Sequence, residues 1–222
     1  MQAANLSCVR ALVFDLDGTM IDSKQYLALS VNAMLAEMGR VLLPEDTISS
    51  YIGQGAPILV RRALGEATED EAHRALDFFL SYYEGHRMDH TRAYPGVKEA
   101  LIGLGNYPMA VLTNKPERIS RRILEELDLA GCFQAIYGGN SFSSKKPDPF
   151  GVNMILRDFS VAARNALLVG DSDIDVQTAR NAGTWVAGVT YGFGYHDREA
   201  FPADVYLDRL SDLVPLLGNR EG

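Results

Sequence analysis

The sequence predicts an α/β chain: a doubly wound parallel sheet with helices on both faces, interrupted near its start by an inserted helical segment. Three observations carry this. Short apolar runs at Val9 to Phe14, Met109 to Leu112, Ala135 to Tyr137 and Ala166 to Val169 each lead into polar residues. Runs of this length bounded by Gly, Pro and Asx residues read as strands buried on both faces, with helices in the stretches between them. Strand alternating with helix makes a parallel sheet. From Ser23 to about Arg92, however, strand signals vanish and a helical period replaces them.

The first strand is expected over Val9 to Asp15, delivering Asp15, Leu16, Asp17, Gly18 and Thr19 to the loop beyond it. Side chains at i and i+2 of an extended chain point to one side, so Asp15 and Asp17 converge on one small volume. Two anions that close repel each other, and a divalent cation between them relieves the repulsion. Carboxylate oxygens are the hard ligands that Mg²⁺ prefers. A metal-assisted reaction is the first expectation; the competing reading has one Asp capping a turn and the other solvated.

The inserted segment shows one apolar stripe at Leu27, Val31, Met34, Leu35 and Met38, with Asp22 and Ser23 as candidate caps, and a second at Leu76, Phe79, Leu80 and Tyr83. Between them lie Pro44 to Ser50, a glycine turn at Gly53 to Gly55 and a short helix from Pro57 to Leu64. The parallel core resumes near Tyr94, where Pro95 and Gly96 mark a boundary. Residues 22–92 are therefore expected to form a helical domain inserted into a core of residues 1–21 and 93–222.

Further strands are expected over Met109 to Asn114, Ala135 to Gly138, Ala166 to Asp171 and Trp185 to Thr190, with Val205 to Asp208 as an edge. Their carboxyl ends lead into Thr113, Asn114 and Lys115, into Lys145 to Pro149, and into Gly170, Asp171, Ser172, Asp173 and Asp175. Ligands of open parallel sheets bind beyond those ends. Asn114 to Glu117 also reads as a helix N-cap with a capping-box glutamate. Asp173 is adequately explained as a charge in the first turn of a helix running to Ala182.

Composition narrows the function classes. A net charge of −8 over 222 residues, with no basic run, argues against nucleic acid or an anionic membrane as partner. Mean hydropathy of −0.06 is ordinary for a globular chain, no run approaches a membrane span, and no signal peptide is evident, so a cytoplasmic enzyme is expected. Cys8 and Cys132 lack CxxC spacing and read as free thiols. His73, His86, His90 and His196 show no catalytic pattern.

The segments DLDGT (Asp15 to Thr19), LTNKP (Leu112 to Pro116), KPDP (Lys146 to Pro149) and GDSDID (Gly170 to Asp175), in that order, resemble the four signatures of the haloacid dehalogenase superfamily. The likeness is to its phosphoglycolate phosphatase type. Tyr51 to Leu64 and the tail Thr190 to Tyr195 resemble that subgroup more softly. The resemblance implies a Rossmann-like core with the first strand in the middle, a helical cap, and Mg²⁺-dependent hydrolysis of a small phosphorylated metabolite such as 2-phosphoglycolate, by a monomer or homodimer.

It also implies roles. Asp15 is the nucleophile that forms an aspartyl phosphate, and Asp17 is the general acid and base. Mg²⁺ is held by Asp15, the backbone carbonyl of Asp17 and Asp171, with Asp175 one layer further out. Gly18, Thr113, Asn114 and Lys146 bind phosphate, Pro147 holding the chain extended after the lysine. In the insert, Gln54, Gly55 and Arg62 are candidates for recognising the organic part of the substrate. Other phosphate esters, pyrophosphate and a phosphotransferase of the mutase type remain alternatives on the same fold. Asp17 and the GDSDID segment count against a dehalogenase, and the insert counts against a non-enzymatic phospho-aspartate receiver.

Overall fold

The computed structural model describes residues 6–86, 88–193 and 197–218. Expectations that fall on Gly194, Tyr195 and His196 lie outside the described residues.

In chain order the elements are β1 (Ala11–Phe14), β2 (Ile21–Asp22), α1 (Lys24–Glu37), α2 (Glu45–Ser49), α3 (Ala56–Leu64), α4 (Glu69–His86), β3 (Arg92–Ala93), α5 (Val97–Gly103), β4 (Met109–Leu112), α6 (Glu117–Glu126), β5 (Ala135–Tyr137), α7 (Phe150–Asp158), β6 (Ala166–Gly170), α8 (Asp173–Ala182), β7 (Trp185–Val189), β8 (Val205–Leu207) and α9 (Leu213–Leu217). Six strands form one parallel sheet in the order β5-β4-β1-β6-β7-β8. β1 lies between β4 and β6, pairing Val13 with Ala110 on one side and Leu168 on the other. The chain moves outward from β1 through β4 to β5 and then returns across β1 to β6. That reversal opens a crevice at the carboxyl ends of β1, β4 and β6.

Strand alternation sorts the core into two halves. Leu12, Phe14, Val111, Leu167 and Val169 face one side with α5, α6 and α9, while Ala11, Val13, Ala110, Leu112 and Leu168 face the other with α7 and α8. Every residue of β1, β4 and β6 is buried, which is why their sequences read as unbroken apolar runs. Burial of a side chain such as Phe14 contributes about 2–3 kcal/mol.

α1 to α4 lie between β2 and β3. These two short strands pair antiparallel, Ile21 with Ala93 and Asp22 with Arg92, so the outgoing and returning chains cross side by side. α1 buries Leu27, Val31, Met34 and Leu35 against α4, which contributes Phe79 and Tyr83. Ser23 occupies the N-cap position of α1, but its side chain makes no capping bond. No described helix is long and apolar enough to cross a membrane.

Candidate active site

The crevice collects residues from four strand ends. Asp15 follows β1, Thr113 follows β4 and Asp171 follows β6, while Lys146 comes from the loop after β5; together with Asp17, Asn114 and Lys115 they line one cavity. α3, α4 and the Gly53 to Gly55 turn wall its other side.

Lys146 is the hub of the Asp15 end. Its ammonium, 3% exposed, donates to Asp15 Oδ1 at 2.7 Å and to Asp175 Oδ1 at 2.6 Å. Neighbouring Lys145 is exposed, so burial distinguishes the two lysines. Asp175 is itself fixed by a capping box, its Oδ2 accepting from Ser172 N–H and Oγ at the start of α8. Asp171 accepts from Phe193 N–H at 2.9 Å. Gly18, at φ 79°, lies so near Asp171 that a Cβ there would meet Asp171 Oδ2 at 2.2 Å. Both the dihedral and the approach require glycine.

Burial raises the carboxylic acids at this end. Asp15 is pushed up to about 6, first by desolvation, against the pull of Lys146 and with a further push from Asp175 and Asp17. Asp171 is raised well above the ordinary carboxylate range by burial, then by Asp175 and Asp15.

Asp17 does not share that lysine. Its carboxylate is held by Lys115 Nζ at 2.8 and 3.0 Å and accepts from Ser23 Oγ. Lys115, 4% exposed, also donates to the Tyr83 hydroxyl and sits 4.5 Å from the centre of that ring. The expected crowding of two carboxylates is thus met first by one lysine for each. Nothing in the local sequence marks Lys115 for this. Only the fold brings α4, the β4 loop and the β1 loop together. Ser23, read as a helix cap, is diverted to Asp17 for the same reason, and Phe193 from the softer tail match joins the site through its backbone.

Thr113 is buried, and its Oγ1 accepts from Lys115 N–H at 3.3 Å. The Asn114 side chain is engaged elsewhere than expected. It does not cap α6: Pro116 is the N-cap residue, and Asn140 Oδ1 accepts from Glu117 N–H at 2.8 Å. Nor is its amide turned to phosphate. Nδ2 donates to Gly53 O at 2.9 Å and Lys146 O at 3.0 Å, and Oδ1 accepts from Lys146 N–H, so Asn114 brackets the Lys146 loop and docks the inserted turn. Pro147 does not extend the chain: the Lys146-Pro147 peptide is cis, and Asp148 N–H closes a turn on Lys145 O.

The three insert candidates separate. Gly55 lines the cavity at φ 88°, where a Cβ would meet Asn114 O at 2.9 Å, so it permits close docking of the turn. Gln54 and Arg62 are exposed, hydrogen-bonded to each other at 3.1 Å, and neither lines the cavity. His73, His86 and His90 are exposed as well.

Against known proteins, residues 12–189 match the family model described as haloacid dehalogenase-like hydrolase. The chain belongs to that family. It is 40% identical over 217 residues to a phosphoglycolate phosphatase of Pseudomonas savastanoi, covering 93% of this chain and 79% of the relative. Identity to the phosphoglycolate phosphatase of Chromobacterium violaceum is 35% over 222 residues, covering 97% and 99%. A crystal structure described as a predicted phosphoglycolate phosphatase from Haemophilus somnus superposes with a TM-score of 0.89 at 32% identity, covering 95% of this chain and 99% of that one.

For a haloacid dehalogenase-like hydrolase the residues present suit a divalent cation. Asp15, Asp171 and Asp175 offer buried carboxylate oxygens that all lie within 4.8 Å of one another. Four carboxylates (Asp15, Asp17, Asp171, Asp175) face two ammonium groups (Lys115, Lys146), leaving two negative charges over. A hard dication balances that excess and takes oxygen ligands. The raised acids have the same origin: burial of anions beyond the number the lysines can neutralise.

Proposed function

We propose that this chain is a Mg²⁺-dependent phosphomonoester hydrolase that works through an aspartyl phosphate on Asp15, with 2-phosphoglycolate as the leading substrate. The observation that carries this reading is the buried Asp15 carboxylate, bonded to Lys146 beside Asp171 at the sheet crevice. The relatives' activity supports the choice of substrate. In this reading residues 22–92 act as a cap over a core of residues 1–21 and 93–222.

Asp15 attacks phosphorus with a carboxylate oxygen, and the bond from phosphorus to the ester oxygen breaks. Asp17 gives its proton to the departing oxygen. It then takes a proton from the water that attacks the acyl phosphate, releasing inorganic phosphate and restoring Asp15. Lys146, Thr113, the Asn114 backbone and Gly18 hold the equatorial oxygens. Asp15, the Asp17 carbonyl and Asp171 would hold Mg²⁺, which supplies neutralisation of the charge on the transferring group. Asp175 fixes Lys146.

Chelation is expected to abolish turnover, and Mg²⁺ to restore it. Thermal unfolding provides a second readout. Asp15 titrates near 6 when folded against an ordinary value of 3.8, so between those pH values the folded state binds more protons than the unfolded one. Stability of the metal-free protein therefore falls as pH rises through that window. Mg²⁺ should raise Tm more at pH 7.5 than at pH 4.5; equal shifts would contradict a site built on these carboxylates.

Asp17→Asn tests the acid. Nitrophenoxide leaves without a proton and an alkoxide does not, so the loss in kcat/KM, which reads the step that expels the ester oxygen, should be larger for an alkyl phosphate by about 10²-fold or more. Equal losses for both esters would remove Asp17 from that role.

A further inference from the structure

We propose that Lys115 and Tyr83 together receive a second anionic group of the substrate, a carboxylate carried one methylene away from the ester oxygen. The inference rests on the phosphatase reading above and assigns the organic end of the same site.

Among the described residues lining the cavity, the cations are Lys146 and Lys115. Lys146 is clamped between Asp15 and Asp175 at the phosphoryl end. Lys115 stands at the other end, beside Asp17 and beneath α4. The cap wall around it is apolar, made by Leu27, Ile52, Ala56, Leu59, Phe79 and Leu80. An anion entering such a wall loses water and needs a charged donor in compensation. Arg62, the insert cation taken as a recognition candidate, is exposed and tied to Gln54 outside the cavity lining.

Lys115 and Tyr83 also offer the right pair of donors. The ammonium donates to the tyrosine oxygen, and the tyrosine's own O–H, which has Ser23 beside it, can turn to a ligand. The ammonium here donates to both Asp17 oxygens and to Tyr83, so it serves a ligand by turning one N–H from Asp17 to it; an ammonium and a hydroxyl side by side can then meet the two oxygens of one carboxylate. Burial holds the Tyr83 hydroxyl well above its ordinary pKa, so it stays protonated.

Reach sets the chain length. As the acid, Asp17 must touch the ester oxygen, and Lys115 lies 2.8 to 3.0 Å from the Asp17 oxygens. A carboxylate one methylene from that ester oxygen falls beside the ammonium. A neutral arm of the same length leaves the ammonium to Asp17 alone.

The test compares 2-phosphoglycolate with ethyl phosphate, which has the same length without the charge, and reads the ratio of their kcat/KM values. The wild type should favour phosphoglycolate. Lys115→Met should cut that ratio by about tenfold or more, and Tyr83→Phe, which keeps the ring, by about threefold. If Lys115→Met lowers both esters by one factor, Lys115 merely positions Asp17 and the proposal is wrong. Should Lys115→Met not fold, as thermal unfolding would reveal, an unchanged ratio in Tyr83→Phe is equally decisive against it. A wild type that hydrolyses both esters equally well overturns the carboxylate receptor and leaves the phosphatase standing; one that hydrolyses neither overturns both.

Discussion

Asp15→Asn is expected to lower kcat by about 10⁴-fold or more, because an amide cannot supply the carboxylate oxygen that attacks phosphorus. Stability should move the other way. The site holds more carboxylates than ammonium groups, and Asp15 is the one that burial pushes up to about 6. Removing its charge relieves a desolvation cost, while Lys146 keeps Asp175 at 2.6 Å as its partner. In metal-free buffer at neutral pH the variant should therefore unfold at the same temperature as the wild type or higher. Single-turnover kinetics and thermal unfolding on one preparation check both halves. A variant within tenfold of wild-type turnover would remove Asp15 from the nucleophile's role.

Lys146→Met should damage activity and stability together. The unbranched thioether fills the space of the lysine stem but leaves Asp15 and Asp175 buried without their shared cation. Breaking a buried pair in this way costs about 3–5 kcal/mol. Loss of a preorganised cation at the transferring phosphoryl group should lower kcat by about 10²–10³-fold. Urea unfolding with an unchanged m-value measures the first effect. In the double variant Asp15→Asn, Lys146→Met the stability loss should be smaller than in Lys146→Met alone, since one stranded anion has been neutralised. A single variant as stable as the wild type would mean that Lys146 does not carry the charge balance of the site.

The contrast between Lys146 and Lys115 separates what sequence alone can determine from what it cannot. Lys146 was legible because Pro147, Asp148 and Pro149 follow it in a recognisable pattern after a strand. Asp15, Asp17 and Asp171 were legible for a similar reason, since each follows an apolar run that reads as a buried strand, and chain direction then puts all of them at one edge of a parallel sheet. The helical insert was equally plain, because a period of 3.6 replaces strand signals between the two crossings now seen at β2 and β3. These are local properties of the chain.

The partners of those residues were not local. Lys115 meets Asp17 across 98 residues and Tyr83 across 32, and Asn114 meets Gly53 across 61. A helix-cap pattern at Asn114 and Ser23 therefore pointed to the wrong bonds: short-range competition favours a cap, and a buried long-range partner overrides it. Arg62 looked suited to substrate because it lies near the glycine turn in sequence, yet the rotation of α3 turns it outward to Gln54. By itself, the sequence determined the fold class and the strand ends at which the candidate site residues gather, because hydrophobic period and chain direction are written along the chain. Only the tertiary structure decided which lysine serves which aspartate and which face of the insert closes the cavity, because charge neutralisation and close packing depend on distances in space.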